Sequence, residues 1–193
     1  MPPYDRAQTT ARIFDAAAEE FAKHGIAGAR VDRIAENASS SKALIYSYFG
    51  DKESLFFKVL QSRMTELASA VLLQPDRVDQ FVGDLFDFMT SHPDVLHLVT
   101  EEAMQYPPDG SPDFGERRAH YASKAAAVAT AQAAGSVDPD LDPAFVVLSL
   151  MGLVSWFFAA PQITMMVAGK APDLRSRYRA HLVELSRRIL NPR

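Results

Sequence analysis

The sequence predicts an all-α fold, and three observations support that prediction. Apolar residues recur at intervals of three and four along most of the 193-residue chain, which is the spacing that places them on one face of a helix. No segment shows the strict alternation of apolar and polar residues that is typical of a half-buried strand. Proline and glycine separate the periodic segments into lengths that suit single helices.

The composition is that of an ordinary globular protein. Apolar residues make up 48% of the chain and charged residues 23%, and the length is sufficient for a sizeable core. The absence of cysteine excludes disulfides and thiolate metal sites, and it is compatible with a reducing cytoplasm, where we expect the protein to act. Residues 1–10 lack the apolar core of a secretory signal.

Charge is distributed unevenly along the chain. The formal net charge of −4 argues against a protein that coats nucleic acid in bulk. Residues 1–60 contain eight basic and eight acidic residues and are neutral, whereas residues 61–193 contain twelve and sixteen and carry the whole net charge. A neutral N-terminal part is compatible with a positive surface that is only local.

The first helix is predicted over about residues 7–23, with Gly25 after it in the position of a C-terminal cap. A helix-turn-helix motif is predicted next, between about residues 30 and 49. Its first helix has an apolar face formed by Val31, Ile34 and Ala35. Small polar residues over 37–40 favour a turn, and Ser41 then suits the N-cap of a second helix. This arrangement places a second helix in the DNA major groove.

Residues in and around this motif follow the pattern of a known family. The matching segments are Ile13–Ala17, Phe21–Gly25, Val31, Ile34–Ala35, Ser41–Lys42, Ile45–Phe49 and Lys52–Leu55. In order and spacing they resemble the DNA-binding domain of the tetracycline-repressor (TetR) family of bacterial transcriptional regulators. The chain departs from the family pattern at the turn, where Ser39 replaces the usual glycine and Ser40 the usual hydrophobe. Ser39 is therefore expected to adopt a left-handed conformation.

The resemblance implies a domain organisation and an activity. It implies a three-helix DNA-binding domain over residues 1–55 and a helical domain for ligand binding and dimerisation over residues 56–193. It also implies a transcriptional repressor that binds a palindromic double-stranded DNA operator as a homodimer and is released by a small-molecule effector. No catalytic or cofactor motif accompanies the pattern, so we expect neither an enzyme nor a cofactor.

The side chains expected at the DNA belong to the motif and to the start of the next helix. The expected DNA-binding residues are Arg30, Ser41, Lys42, Ala43, Tyr46, Ser47 and Lys52. Lys42 can donate to guanine or to a phosphate, and Ala43 is small enough to touch a thymine methyl group. Lys52 stands at a helix start, where free backbone N–H groups and a cation together suit a phosphate. The alternative for each basic residue alone is a solvated surface charge, and Tyr48 and Phe49 are interpreted as packing residues.

The remaining helices follow in order. Asp51 is predicted to cap a fourth helix that continues to about Val71 and so joins the two parts of the chain. Pro75 and Pro93 are expected to begin the next two helices, and residues 106–112 to form a loop. The last three helices are predicted over about residues 113–134, 144–160 and 173–190.

The span from 143 to 169 contains no charged residue, so it is either a membrane segment or a helix buried on nearly all sides. Pro161 divides it, which favours a helix buried against a second subunit, and no membrane partner is expected. TetR-like regulators are similar, because their last two helices commonly pair with those of a partner. The predicted dimer-interface residues are Leu150, Val154, Tyr178, Leu182, Leu185 and Ile189.

Aromatic and methionine residues at helical spacing in the C-terminal part either line a small-molecule pocket or fill the core. The residues assigned to a pocket are Phe86, Met89, Met104, Tyr121 and Phe157. His97 and Glu101 share a helix face near His92 and Glu102. A zinc site needs three or four converging ligands, so solvated side chains are the favoured interpretation and no metal is expected.

Two other classes of function stay open at this point. One is a helical small-molecule-binding protein whose N-terminal part does not bind specific DNA. The other is a helical-bundle enzyme, which no motif supports. Salt-dependent binding to a palindromic fragment, compared with random DNA, separates a regulator from both.

Overall fold

The computed structural model describes residues 6–112 and 114–191. Within these residues the chain forms ten α-helices, one short 3-10 helix and no strand, which confirms the predicted all-α fold. The α-helices are α1 (Arg6–Gly28), α2 (Val31–Asn37), α3 (Lys42–Phe49), α4 (Lys52–Ala70), α5 (Phe81–Ser91), α6 (Asp94–Gln105), α7 (Phe114–Ala133), α8 (Pro143–Ala159), α9 (Pro161–Ala168) and α10 (Leu174–Leu190). The 3-10 helix, Val78–Gln80, directly precedes α5.

Gly25 divides α1 into two helical segments because its own backbone is not helical: the first segment ends before it, close to the end predicted near residue 23, and a short second segment continues to Gly28. Gly25 has a φ of 64° and a ψ of 175°, in the positive-φ region that favours glycine. The next residue, Ile26, donates its backbone N–H to Glu101 Oε1 of α6 over 2.7 Å. A Cβ on Gly25 would lie 2.7 Å from the same carboxylate oxygen. Gly25 therefore follows the first segment at the position predicted for a C-terminal glycine, and it also marks a kink in α1 and a close approach of α6.

The described residues divide into two compact units. Unit 1 comprises those of Met1–Glu66 and Asp94–Asp113, and unit 2 those of Leu67–Pro93 and Phe114–Arg193. This division differs from the predicted boundary between residues 55 and 56, because unit 1 also contains most of α4 and all of α6. Tertiary packing is the reason, since α6 lies against α1 and buries Val95 and Leu98.

The core of unit 1 is formed by side chains from α1, α2, α3 and α4. Its fully buried large side chains include Ile13, Phe21, Ile34, Ile45, Leu55 and Phe56. Phe21 and Phe56 pack edge to face with ring centroids 5.3 Å apart. Arg63 of α4 adds a polar link, because its guanidinium donates to Asp15 over 2.9 Å and to Asp94 over 2.8 Å. One side chain thus connects α4 with both α1 and α6.

Unit 2 is built around α5, α7, α8 and α10. In it α5 packs against α8 and α10, and α7 packs against α8. Aromatic rings fill the centre: Phe157 lies 5.1 Å from Phe86 and 4.7 Å from Tyr178, measured between ring centroids. An ion pair of 2.7 Å between Arg179 and Asp87 joins α10 to α5 near the surface.

The helix predicted to begin at Pro75 begins later. The backbone turns first, and Arg77 donates its N–H to the Gln74 carbonyl over 3.1 Å. Helical geometry starts with the 3-10 helix, and α5 starts only at Phe81. The corresponding prediction for Pro93 is confirmed, because α6 begins at the residue that follows it.

The uncharged span over 143–169 forms two helices instead of one. Asp142 caps α8, since its Oδ1 accepts the backbone N–H of Ala144 over 2.8 Å. Pro161 begins α9, because it has no N–H with which to continue α8. Taken alone, none of the described helices has both the length and the apolar character to span a membrane, whereas α8 and α9 together, bent by 89°, pass that test of length and composition.

Candidate nucleic-acid interface

One side of α3 faces solvent and carries four of the predicted DNA-binding residues. These exposed residues are Lys42, Ala43, Tyr46 and Ser47. The opposite side of the helix is buried through Ile45 and Phe49. The division follows from the helical repeat, in which residues i, i+1, i+4 and i+5 share one side. The burial of Phe49 agrees with its interpretation as a packing residue.

Ser41 begins α3 as predicted. Its Oγ accepts the backbone N–H of Leu44 over 3.1 Å, which satisfies one of the free donors in the first helical turn. The cap uses a lone pair of the hydroxyl oxygen and leaves the O–H free to donate elsewhere. Ser41 thus holds the end of α3 at which Lys42 and Ala43 lie.

The turn between α2 and α3 is closed by backbone hydrogen bonds of the Schellman type. Ser39 donates to the Glu36 carbonyl over 3.1 Å, and Ser40 donates to the Ala35 carbonyl over 2.9 Å. This motif requires a left-handed residue, and Ser39 has a φ of 49° as predicted. The Ser40 Oγ is buried and has no hydrogen-bond partner among the described residues. The serines that replace the family's usual glycine and hydrophobe therefore occupy unfavourable positions.

A buried carboxylate, Glu20 of α1, holds the start of α2. Its Oε1 accepts the backbone N–H of Arg30 over 2.8 Å and the Arg33 Nε–H over 2.9 Å. Burial by itself raises the pKa of Glu20, but the hydrogen bonds from Arg33 and from the Arg30 backbone outweigh it and lower that pKa below its ordinary value. Sequence patterns do not indicate this role of Glu20, because it lies outside the motif and its partners are 10 and 13 residues away.

Lys42 makes an exposed ion pair. Its Nζ lies 3.0 Å from Asp32 Oδ1 of α2, and both side chains are about half exposed. Exposed pairs of this kind contribute roughly 0–1 kcal/mol, because solvent screens both charges. Lys42 can therefore exchange this carboxylate for a phosphate or a base at little cost.

Lys52 and Arg30 differ in their surroundings. Lys52 is half-buried, and its Nζ donates to the carbonyl oxygens of Ala27 and Ala29, each over 3.3 Å. Its ammonium thus joins the start of α4 to the connection between α1 and α2, a structural role that the sequence analysis did not predict. Arg30 is exposed, and its guanidinium makes no ion pair with any residue that the structure describes.

A further cation lies beside α3. The guanidinium carbon of Arg6, at the start of α1, lies 4.7 Å from the centroid of the Tyr48 ring. Tyr48 is half-buried and its ring also lies 6.0 Å from that of Phe49, as expected of a packing residue. Sequence patterns do not indicate that Arg6 lies beside α3, because its contact with Tyr48 joins residues far apart in the chain.

The residues assigned to a ligand pocket divide into three groups. Phe86, Met89 and Phe157 are buried in unit 2. Tyr121 is half-buried on α7 of the same unit. Met104 lies on α6 of unit 1 and is 72% exposed, and the assignment of these five residues to a pocket stays a prediction. Helical spacing alone did not indicate that α6 belongs to the other unit.

The residues assigned to the dimer interface lie mainly inside unit 2. Leu150, Val154 and Leu182 are buried in the core of the single chain, so they are not available to a partner. Leu185 is half-buried, as is Tyr178, whose hydroxyl donates to the Leu153 carbonyl over 3.1 Å. Only Ile189 of the six is an exposed side chain.

The opposite face of α8 is apolar and exposed. Phe145, Leu148 and Trp156 are 68%, 66% and 58% exposed, respectively. Because α8 is apolar on all sides, its sequence could not indicate which side packs against α5 and α7. Helix α8 does carry an apolar face outside the core, but Phe145, Leu148 and Trp156 form that face, not the α8 residues assigned to the interface.

The histidine and glutamate residues near α6 have other contacts. The His92 ring stacks on Phe88 with centroids 4.1 Å apart, and Glu101 accepts the backbone N–H of Ile26. Within the described part of the chain, no three His, Asp or Glu side chains are placed to hold a metal ion together.

Comparisons with known proteins cover nearly the whole chain. Residues 13–59 match the family described as bacterial regulatory proteins of the tetR family, and residues 77–188 match the tetracyclin repressor-like C-terminal domain. The HTH-type transcriptional repressor SCO4008 of Streptomyces coelicolor is 37% identical over 191 residues, which are 99% of this chain and 100% of that protein. The HTH-type transcriptional repressor NicS of Pseudomonas putida is 31% identical over 49% of this chain and 48% of its own length.

Solved structures show the same fold. SCO4942 of Streptomyces coelicolor superposes with a TM-score of 0.84 at 36% identity, covering 94% of this chain and 98% of that one. A bacterial regulatory protein in the tetR family from Rhodococcus RHA1 superposes with a TM-score of 0.75 at 21% identity, covering 98% and 100%. At 21% identity, the Rhodococcus structure shows only that the two chains share a fold.

Proposed function

Because this chain belongs to the tetR family of bacterial regulatory proteins and is a DNA-binding transcriptional regulator, we propose that it acts as a homodimeric repressor, binding a palindromic operator until a small molecule releases it. The exposed side of α3 carries the proposal. It presents a lysine, a tyrosine and a serine beside a small alanine, and no bulky apolar side chain prevents entry into a groove. A recognition helix needs this kind of surface in the major groove.

The exposed side of α3 reads the bases. Lys42 donates to guanine O6 and N7 or to a phosphate, and Ala43 contacts a thymine methyl group. Tyr46, one turn later, donates its hydroxyl to a phosphate or a base edge. Ser41 and Ser47 are shorter donors beside them, and the Ser41 O–H stays free because its oxygen caps the helix through a lone pair.

Two further residues set the register on the phosphates. Arg30 stands at the start of α2 with an exposed guanidinium, where the helix N-terminus adds its own positive potential. Lys52 is a more limited donor. Two of its three N–H groups point to carbonyl oxygens, which leaves one for a phosphate.

A second copy of the chain covers the exposed face of α8. Phe145, Leu148 and Trp156 form an apolar surface on a helix without charged residues, and burial of such a surface favours association. A symmetric pair would present two α3 helices to successive major grooves, which are roughly 34–36 Å apart. A palindromic operator is the DNA counterpart of that symmetry.

The effector binds unit 2, near the aromatic cluster that contains Phe86 and Phe157. Helix α4 supports a link between effector and operator, because it begins in unit 1 beside the motif and its last residues belong to unit 2. An effector weakens operator binding only if its affinities for the two conformations differ, typically by about 1–3 kcal/mol of coupling.

The test is the selection of DNA by the purified protein from a random library, followed by equilibrium binding over a range of salt concentrations. We expect enrichment of a palindrome whose half-site centres are about 10 bp or a multiple apart. Its affinity should fall steeply with salt and exceed that for random DNA by at least about 1,000-fold. Equal affinities for selected and random DNA would contradict the proposal and favour a small-molecule-binding protein without specific DNA binding.

A further inference from the structure

A buried lysine in unit 2 lacks a negative partner. Lys124 of α7 is only 7% exposed. Its Nζ donates to the Val71 carbonyl over 2.8 Å and lies 4.9 Å from the centroid of the Phe81 ring. No carboxylate of the described residues lies within ion-pair distance of it. Among the described residues, that carbonyl and that ring face are the contacts of the three ammonium N–H groups, so the buried charge is incompletely compensated.

The described carboxylates on the elements around Lys124 do not form an ion pair with it, and Asp79 of the 3-10 helix accepts from the Gln80 amide over 3.1 Å. Asp84 and Asp87, the acidic residues of α5, already pair with Arg77 and Arg179 over 2.9 and 2.7 Å. Helix α8, which packs against α7, contains no charged residue. The positive charge of Lys124 is therefore not balanced by an ion pair with any residue that the structure describes.

A second basic group lies one helical turn earlier on the same side of α7. His120 is half-buried, and burial together with the nearby charge of Lys124 lowers the pKa of its imidazole. Burial likewise lowers the pKa of Lys124 to about 8. Both shifts favour the neutral forms of these groups, and burial is the first cause of each. An anion bound beside them would raise both pKa values again.

The other side chains around the Lys124 ammonium are apolar and buried. Val128 follows Lys124 one turn later on α7 and is completely buried, and Phe81 and Val71 are buried beside the ammonium. A ligand suited to these surroundings would combine one anionic group with an apolar or aromatic body, which is a common pattern for small-molecule sites.

We propose that Lys124, with His120 beside it, binds the anionic group of the effector, and that the effector is an apolar or aromatic carboxylate. This inference rests on the proposed function, since it names the chemical class of the effector. The carboxylate accepts from the Lys124 N–H groups that the Val71 carbonyl leaves unused. Because Val71 directly follows α4, the bound anion acts next to the end of the helix that runs between the two units.

The test uses the full chain and three carboxylate probes, benzoate, salicylate and 1-naphthoate, with their neutral amides as matched ligands. We expect saturable binding of at least one carboxylate by calorimetry, and binding of its amide at least about tenfold weaker, as for loss of a hydrogen bond to a charged group. Lys124→Met should weaken the carboxylate by a similar factor and leave the amide unchanged. Lys170→Met, at an exposed lysine of unit 2, should change neither.

A second readout needs no variant. Calorimetry at pH 8.5 in two buffers of different ionisation enthalpy should show that the parent protein takes up protons when the carboxylate binds, because the anion raises the pKa of Lys124. The inference is overturned if no carboxylate binds at up to about 10 mM. It is also overturned if binding takes up no proton, or if a folded Lys124→Met variant binds with the parent's affinity.

The two proposals fail in different ways. Operator binding is measured without any ligand, so a protein that binds no operator contradicts the proposed function whatever the probes do. A protein that binds its operator specifically but ignores every carboxylate contradicts only the identity of the effector.

Discussion

At the scale of single residues, the turn before α3 contains a strained backbone conformation that a single substitution can relieve. Ser39 adopts a left-handed conformation, which costs roughly 1–2 kcal/mol for a residue with a Cβ. Glycine avoids this cost but loses more backbone entropy on folding. We expect Ser39→Gly to increase the free energy of unfolding by about 1 kcal/mol in urea titrations.

The chain contains a matched control for this substitution. Gly135 ends α7 in the same Schellman geometry, with a φ of 76° and open space around its Cβ position. Gly135→Ser should therefore decrease the free energy of unfolding by a similar amount. A Ser39→Gly variant no more stable than the parent would show that the strain at Ser39 is relieved locally.

Two lysines of the interface should respond differently to removal. Lys42 is half exposed, so Lys42→Ala should leave stability unchanged and lower by about one unit the slope of log affinity against log salt. Lys52 holds two carbonyl oxygens, so Lys52→Met should also lower the free energy of unfolding by about 1 kcal/mol. Lys23→Ala, an exposed lysine outside the motif, serves as the control. Equal salt slopes for the parent and Lys42→Ala would contradict a contact between Lys42 and the DNA.

The buried ammonium of Lys124 makes stability depend on pH. Its pKa is about 8 in the folded chain and 10.5 when unperturbed. Between these values the unfolded chain binds more protons, so the Lys124 contribution to stability should rise with pH from about 8 to 10.5. Tyrosines also titrate in this range, and the difference between the parent and Lys124→Met isolates the lysine. A constant difference across that range would contradict the assignment.

At the scale of elements, the kink in α1 depends on a glycine that faces a carboxylate of α6. Gly25→Ala places a Cβ both in a positive-φ conformation and 2.7 Å from Glu101 Oε1. We expect the free energy of unfolding to fall by about 2 kcal/mol or more. Gly28→Ala is the control, because its new Cβ would lie 3.5 Å from the nearest atom, an ordinary contact. Equal stabilities of the two variants would show that α6 moves aside at no cost.

Helix α8 illustrates why an apolar helix does not reveal its orientation. Its residues are apolar on every side, so Leu150 and Phe145 look equivalent in sequence. The core of unit 2 selects one side because α5 and α7 lie there. The other side stays exposed in the single chain and is the surface assigned to a partner.

At the scale of the whole molecule, substitutions on the two sides of α8 should affect different processes: dimer assembly on the exposed side and folding on the buried side. Leu148→Asp places a charge on the exposed side of α8, where a dimer would bury it without a partner, and should dissociate the dimer without unfolding the chain. Leu150→Asp places the same charge in the core and should unfold unit 2. Sedimentation and circular dichroism distinguish the two results. A folded Leu148→Asp variant that remains dimeric would exclude this face as the interface.

Much of the candidate site follows from the sequence because its determinants are local. Helical spacing predicts the exposed side of α3, and Ser41 predicts its start. The left-handed turn follows from the position of Ser39 in the motif. By contrast, the roles of Glu20, Lys52 and Glu101 depend on contacts across 10 to 75 residues, which periodicity does not report.

The helical class, the helix-turn-helix and the resemblance to the family could be predicted without coordinates, because helical period, caps and breaks act between residues a few positions apart. Packing between distant segments places α6 with the N-terminal helices and buries Leu150, Val154 and Leu182 in the core. It also buries Lys124 without an ion pair to any described carboxylate. These outcomes depend on which apolar surfaces pack together. Several faces of this chain are apolar enough to be buried, and the choice among them is made only when distant elements compete for the same core.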